Sequence, residues 1–252
     1  MLPSGMASED SDTLFRDPLR APGPFRFDEA VVRVFPDMIK RSVPGYETVV
    51  AMTGLLAARY VTPGSRAYDL GCSLGASTLA MRQHISARDA AIVAIDNSAA
   101  MLERLRAVLA AQTQTRAGCR VEVREENIQA SVMERASMVV LNYTLQFIPI
   151  EERSALLATI AAAMEPGGVL VLSEKVRFPD PELNTLNTDL HHDFKRAHGY
   201  SDLEISAKRD SLETVLVPET LDAHRERVIG AGFRSCDVWF QCFNFASLIA
   251  LK

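Results

Sequence analysis

Cysteine is scarce in this chain. Its 252 residues hold four, Cys72, Cys119, Cys236 and Cys242, with no C-x-x-C pair among them. That excludes a dense disulfide framework and suits a reducing compartment, where thiols act as small hydrophobes. Long apolar runs are missing too: none reaches the ~20 residues of a membrane span, and no basic-then-apolar leader opens the sequence. The expectation is a soluble, cytoplasmic protein with no membrane partner. Cations are in the minority, 27 Lys and Arg against 32 Asp and Glu, a formal net charge of −5. Broad phosphate-backbone binding rewards clustered Lys and Arg, so the balance works against a nucleic-acid binder. Internal repeats and low-complexity tracts are also lacking.

What remains is organised by alternation. Residues 1–24 mix Pro, Gly, Ser and charge without periodicity and are expected to form a flexible arm. Residues 25–252 form a single domain, opening with the helical patterns "FDEAVVRVFPDMIK" and "ETVVAMTGLLAARYV". The short apolar strands "RAYDL", "AIVAID", "RVEVRE", "SMVVLNY" and "GVLVLSE" follow, several separated by helices. Strand–helix alternation with continuous apolar strands predicts an α/β fold, a mostly parallel sheet covered on both faces. "DVWFQCFNFASLIALK" predicts a closing antiparallel hairpin, and a helical insertion is expected over about 180–217.

The stretch "AYDLGCSLGAST" sets Asp69, Gly71, Cys72, Ser73 and Gly75 at a strand-to-helix turn. Small residues there let backbone N–H groups approach a ligand at the carboxyl edge of the sheet. Asp96 ends the next strand, where a carboxylate accepts from ribose hydroxyls. A nicotinamide dinucleotide requires G-x-G-x-x-G, and Ser73 and Ala76 occupy two of those glycine slots. S-adenosyl-L-methionine requires an acidic residue near its ammonium, which Asp69 supplies. After the third strand, Asn127 and Ile128 can frame an adenine, and Asn142 ends the fourth strand at the pocket. These features together predict the class I S-adenosyl-L-methionine methyltransferase, Rossmann-like fold.

Residues 180–217 are richer in charge. Asp180 and Pro181 start a helix whose apolar stripe reads Leu183, Leu186, Leu190, Phe194 and Ala197. Adjacent His191 and His192 are about 100° apart on it and lack H-x-x-x-H spacing, so no metal is expected there. "SDLE" reads as a capping box from Ser201 to Glu204. Beyond it, Ile205, Arg209, Leu212 and Leu216 recur at helical spacing, which turns Arg209 inward and leaves Lys208 to reach solvent. Such an arginine can snorkel outward, pair with a structural carboxylate, or fork onto a ligand carboxylate.

Several long stretches make the chain resemble the carboxy-S-adenosyl-L-methionine synthase family, from Asp12 to Lys252: "VFPDMIKRSVPGY", "YDLGCSLGA", "ASMVVLNYTLQF", "LVLSEK", "HHDFKRAHGYSDLEIS" and "WFQCFNF". The resemblance implies that S-adenosyl-L-methionine and prephenate become carboxy-S-adenosyl-L-methionine and phenylpyruvate, without a metal. A downstream tRNA carboxymethyltransferase then uses the product on a wobble uridine, so no direct tRNA binding is implied here. It further implies a homodimer. Carried over by position, Tyr46, Gly71, Cys72, Ser73, Asp96, Asn97, Asn127, Ile128 and Asn142 contact the nucleoside, and Arg209 is the catalytic residue holding the new carboxylate. One departure stands out: the family often has Asp-Ile where this chain has Asn127-Ile128. A small-molecule methyltransferase is the alternative reading, and a nucleoside-binding protein without turnover is a third.

Overall fold

The computed structural model describes residues 11–15, 27–113, 119–212 and 215–252. Two helices lead, α1 (Glu29–Ser42) and α2 (Tyr46–Tyr60). The first is started by Asp28, whose carboxylate accepts from the backbone N–H groups of Ala30 and Val31. Seven strands follow: β1 (Arg66–Leu70), β2 (Ala91–Asp96), β3 (Arg120–Glu125), β4 (Ala136–Asn142), β5 (Met164–Lys175), β6 (Ser235–Cys242) and β7 (Phe245–Leu251). They form one sheet in the order β3-β2-β1-β4-β5-β7-β6. The first five run parallel, and β7 pairs antiparallel with both β5 and β6. The α/β class, the parallel strands and the closing hairpin are as the sequence predicts.

Alternation along the strands explains the layers. Tyr68, Val139, Leu141, Leu170 and Leu172 point to one face, where Leu157 and Ile160 of α5 (Ile150–Ala163) and Val228 of α8 (Leu221–Gly230) cover them. Their neighbours Ala67, Met138, Val140, Val169 and Val171 point to the other face, against Ala57 of α2 and Met81 of α3 (Ala76–His84). Both faces are dry, which is why these strands carry so little charge. The strand order reverses between β1 and β4, so their carboxyl ends splay into a crevice.

Three more helices complete the fold: α4 (Ala99–Thr113), α6 (Pro181–Ala197) and α7 (Asp202–Leu212). Asp180 accepts from Leu183 N at 2.8 Å, and Ser201 and Glu204 form the reciprocal capping box. Of the arm expected over 1–24, residues 1–10 and 16–24 lie outside the described residues. Asp12 is buried, accepting a hydrogen bond from the Tyr200 hydroxyl, while its backbone N–H donates to Asp37 at 2.7 Å.

Three expectations about α6 and α7 need correction. Leu183 and Leu186 face solvent, about half exposed, while His191 and Lys195 are buried. On α7 the inward residues are Glu204, Ile205, Lys208 and Ser211. Lys208 is therefore the interior cation, at 5% exposure, and the Arg209 side chain is 60% exposed. The apolar stripe that places Arg209 inward depends on Leu216, but the helix ends at Leu212. These helices turn a polar row inward because they wall a cavity, not the apolar core.

Candidate functional site

A cavity of about 750 Å³ opens over the crevice at the carboxyl ends of β1 and β4. All ten residues expected to form the site line it: Tyr46, Gly71, Cys72, Ser73, Asp96, Asn97, Asn127, Ile128, Asn142 and, at the α7 wall, Arg209.

The loop after β1 is built by left-handed backbone. Gly71, Ser73 and Gly75 all have positive φ, at 75°, 50° and 81°. A Cβ at Gly71 would run into Thr144, so this position admits only glycine. The N–H groups of Gly71 and Cys72 both donate to Ile95 O, at 2.8 and 2.9 Å, tying the loop to β2. Asp96 fastens the other side: one oxygen accepts from Ser73 N and the other from Ser98 N, each at 2.9 Å. Burial raises its pKa, and those backbone bonds oppose the shift. Each oxygen keeps a lone pair for a ligand hydroxyl. Asp69, almost fully buried, accepts from Thr78 Oγ1 at 2.6 Å, and burial raises its carboxyl to about 6. A ligand ammonium beside it would restore the charged form.

Asn127 faces the cavity beside Asn97. Its amide oxygen accepts from Asn97 Nδ2 at 2.9 Å, joining the two amides. Asn142 is more deeply wired: its oxygen accepts from Ser173 Oγ at 2.7 Å, and its Nδ2 donates to Ser77 Oγ at 2.9 Å. Ser173 and Ser247 share a hydrogen bond of 2.7 Å, and Trp239 Nε1 donates to Ser247 Oγ at 2.7 Å. The pocket floor is thus continuous with the closing hairpin. The Tyr46 ring packs on Tyr143, with centroids 6.0 Å apart.

The opposite wall is cationic, and sequence reasoning missed it. Lys175, Lys195 and Lys208 line the cavity with Arg209, and an uncharged His191 lies among them. Lys208 donates to Ser42 Oγ at 2.9 Å and lies 3.8 Å from Asp12. The available signal was the i, i+4 polar pair His191 and Lys195, hidden beside a leucine stripe. Arg209 sits at the rim, with Nε and Nη2 on Asp210 Oδ1, both at 3.1 Å.

His191 donates from Nε2 to the carbonyl of Ser42 at 2.8 Å, which ties α6 to the end of α1. Among the described residues no group of three or more His, Cys, Asp or Glu could hold a metal ion. Burial first, then Lys195 and Lys175, push its pKa down to about 2 from the ordinary 6.5. The unfolded chain then takes up a proton that the folded one refuses, so stability is lost as pH falls below about 6.5 and not above it. His224, pushed down to about 4 by burial, adds the same sign. We expect His191→Gln to remove on the order of 1 kcal/mol per pH unit from that slope in urea titrations between pH 6.5 and 5. An unchanged slope would count against it.

The cradle, the paired acceptors of Asp96 and the buried Asp69 fit a nucleoside carrying an amino-acid end. Comparison with known proteins agrees. The methyltransferase domain family matches residues 67–168. The chain is 56% identical to the carboxy-S-adenosyl-L-methionine synthase of Geobacter sp. (strain M21), over 96% of this chain and 98% of that one. It is 52% identical to the enzyme of the same name from Vibrio cholerae serotype O1, over 98% and 99%. In fold it is similar to magnesium protoporphyrin IX methyltransferase from Synechocystis PCC 6803 with bound SAH. There the TM-score is 0.58 at 18% identity, covering 85% of this chain and 87% of that one. Human N-acetylserotonin methyltransferase in complex with SAM gives 0.57 at 15%, covering 89% and 55%.

Proposed function

The chain belongs to the carboxy-S-adenosyl-L-methionine synthase family, and from that premise we propose how its own side chains serve the reaction. S-adenosyl-L-methionine and prephenate become carboxy-S-adenosyl-L-methionine, phenylpyruvate and water. Prephenate gives up its ring carboxylate and ring hydroxyl as the ring aromatises. The carboxyl carbon is bonded to the former methyl carbon, and the hydroxyl leaves as water with one methyl proton. Bound S-adenosyl-L-methionine supplies a methyl group made acidic by positive sulfur.

The carrying observation is one cavity with a nucleoside cradle on one wall and cations on the other. Gly71, Cys72 and Ser73 support the amino-acid end, with Asp69 facing its ammonium. Asp96 and Asn97 take the ribose, and Asn127 and Ile128 the adenine. Tyr46 and Asn142 close the floor. Enclosure keeps water from the carbanionic centre and holds the released CO₂ beside it. Incubating the protein with both substrates and weighing the nucleoside product tests the reaction. Recovery of unmodified S-adenosyl-L-methionine alone would sink it.

Arg209 exchanges Asp210 for the carboxylate of the product, a charge-assisted contact of about 1.5–3 kcal/mol. We expect Arg209→Ala to weaken carboxy-S-adenosyl-L-methionine binding roughly 10- to 100-fold while sparing S-adenosyl-L-methionine. Equal losses for both ligands in competition titrations would remove the arginine from this role. The same reading makes the protein a cytoplasmic homodimer, supported by the half-exposed Leu183 and Leu186 of α6. Its product feeds a separate tRNA carboxymethyltransferase for wobble-uridine 5-oxyacetic acid formation.

A further inference from the structure

Among the described residues, two ammonium groups in the cavity have no anion to answer them. Lys195 on α6 is 6% exposed, and Lys175 at the end of β5 is partly buried. Among the described residues, neither Nζ makes a hydrogen bond or ion pair. The third lysine of the wall, Lys208, has Asp12 3.8 Å away. Enclosing an ammonium without a partner is costly, so two such groups side by side are not explained by packing.

Their position along the sheet is informative. Asp96 ends β2 and Lys175 ends β5, three strands apart in the sheet order. At the usual strand spacing this is roughly 14 Å. A nucleoside seated on Asp96 and the β1 loop reaches toward β4 and leaves the β5 end of the cavity for something else. That something is anionic. One carboxylate of a methionine end does not account for two unpartnered cations; a dicarboxylate does.

We propose that Lys175 and Lys195 hold the two carboxylates of the dianionic co-substrate, while Lys208 stays with Asp12. This rests on the reading that prephenate is that co-substrate. The electrostatics agree: burial, then Lys208 and Lys175, push Lys195 down to about 7, and burial alone lowers Lys175. Among the described residues no carboxylate counters either shift, so an arriving dianion finds cations that gain from it.

The test uses Lys175→Met and Lys195→Met in the full chain. The wild type must first make carboxy-S-adenosyl-L-methionine from prephenate; its failure would defeat the reaction itself and not the subsite. Given that activity, each variant should raise the KM for prephenate at least about 30-fold, as for truncating one partner of a buried charge pair. Its Kd for S-adenosylhomocysteine should stay within about twofold. The ligand-free melting temperature should hold or rise, because an unpartnered buried charge has been removed. Weaker nucleoside binding with an unchanged prephenate KM would assign the lysines to the methionine carboxylate and overturn the proposal. Insoluble variants, or melting temperatures lower by more than about 5 °C, would make them structural and overturn it equally.

Discussion

Replacing Arg153 with alanine should cost about 3–5 kcal/mol of folding stability, the penalty for breaking a buried ion pair from one side. The Arg153 side chain is fully buried in α5. Its Nη1 donates to Glu219 at 2.6 Å and its Nε to Ile148 O at 2.9 Å. Nη2 donates to Gln146 O at 3.1 Å and to Val217 O at 3.0 Å. Alanine would leave three carbonyls short of a donor and Glu219 with Arg227 alone, at 2.6 Å. Burial pulls the Glu219 pKa up, but the hydrogen bonds from Arg227 and Arg153 win and hold it below the ordinary carboxylate value. Its share of stability is therefore present above the unfolded carboxylate pKa and is lost as pH falls through the lower folded one. In a domain of this size the change should lower the melting temperature by roughly 10 °C. Arg153→Lys, which can satisfy Glu219 but not all three carbonyls, should fall between. A loss under about 1 kcal/mol in urea unfolding would show the network to be dispensable. The change should also loosen Val217 and Pro218, which wall the cavity.

Removing the Asp96 carboxylate should have the largest effect on ligand binding. Asp96→Ala abolishes both the acceptor for Ser73 N and the acceptors offered to a ribose. Two charge-assisted hydrogen bonds at about 1.5–3 kcal/mol each predict a 10²- to 10³-fold or greater rise in Kd for S-adenosylhomocysteine. Asp96→Asn keeps one oxygen and the shape, and should lose less. Calorimetric titration decides the matter: a rise below about fivefold for the alanine variant would mean that the nucleoside is not seated on this residue.

The cradle was legible because its chemistry is local. Gly71, Ser73, Gly75 and Asp96 sit at fixed distances from strand ends, and strand ends show in the hydrophobic pattern. The cationic wall was not legible, because it depends on which side of α6 and α7 meets a cavity. A helix facing solvent on one side and a charged pocket on the other inverts the usual rule that leucines point inward. Lys208 and Arg209 are neighbours in sequence, and one residue of phase error exchanged their roles. Arg153 was invisible for a different reason: within "EERSALLATI" it looks like a solvated charge, and its partner Glu219 lies 66 residues later. The wiring of Asn142 through Ser173 and Ser247 likewise joins distant segments by strand register that only the assembled sheet reveals.

That register also bears on how the protein is made. β7 is synthesised after the other six strands, yet it enters the sheet between β5 and β6. It brings Phe245 to the cavity and Ser247 to Ser173. In the same hairpin, Phe240 occupies the space where any side chain at Gly45 would have to go. A nascent chain that has finished β1 to β5 therefore already carries the loop after β1 and Asp96, with the hairpin side of the cavity still unmade. The ribosome must deliver the hairpin before the cavity is enclosed on that side.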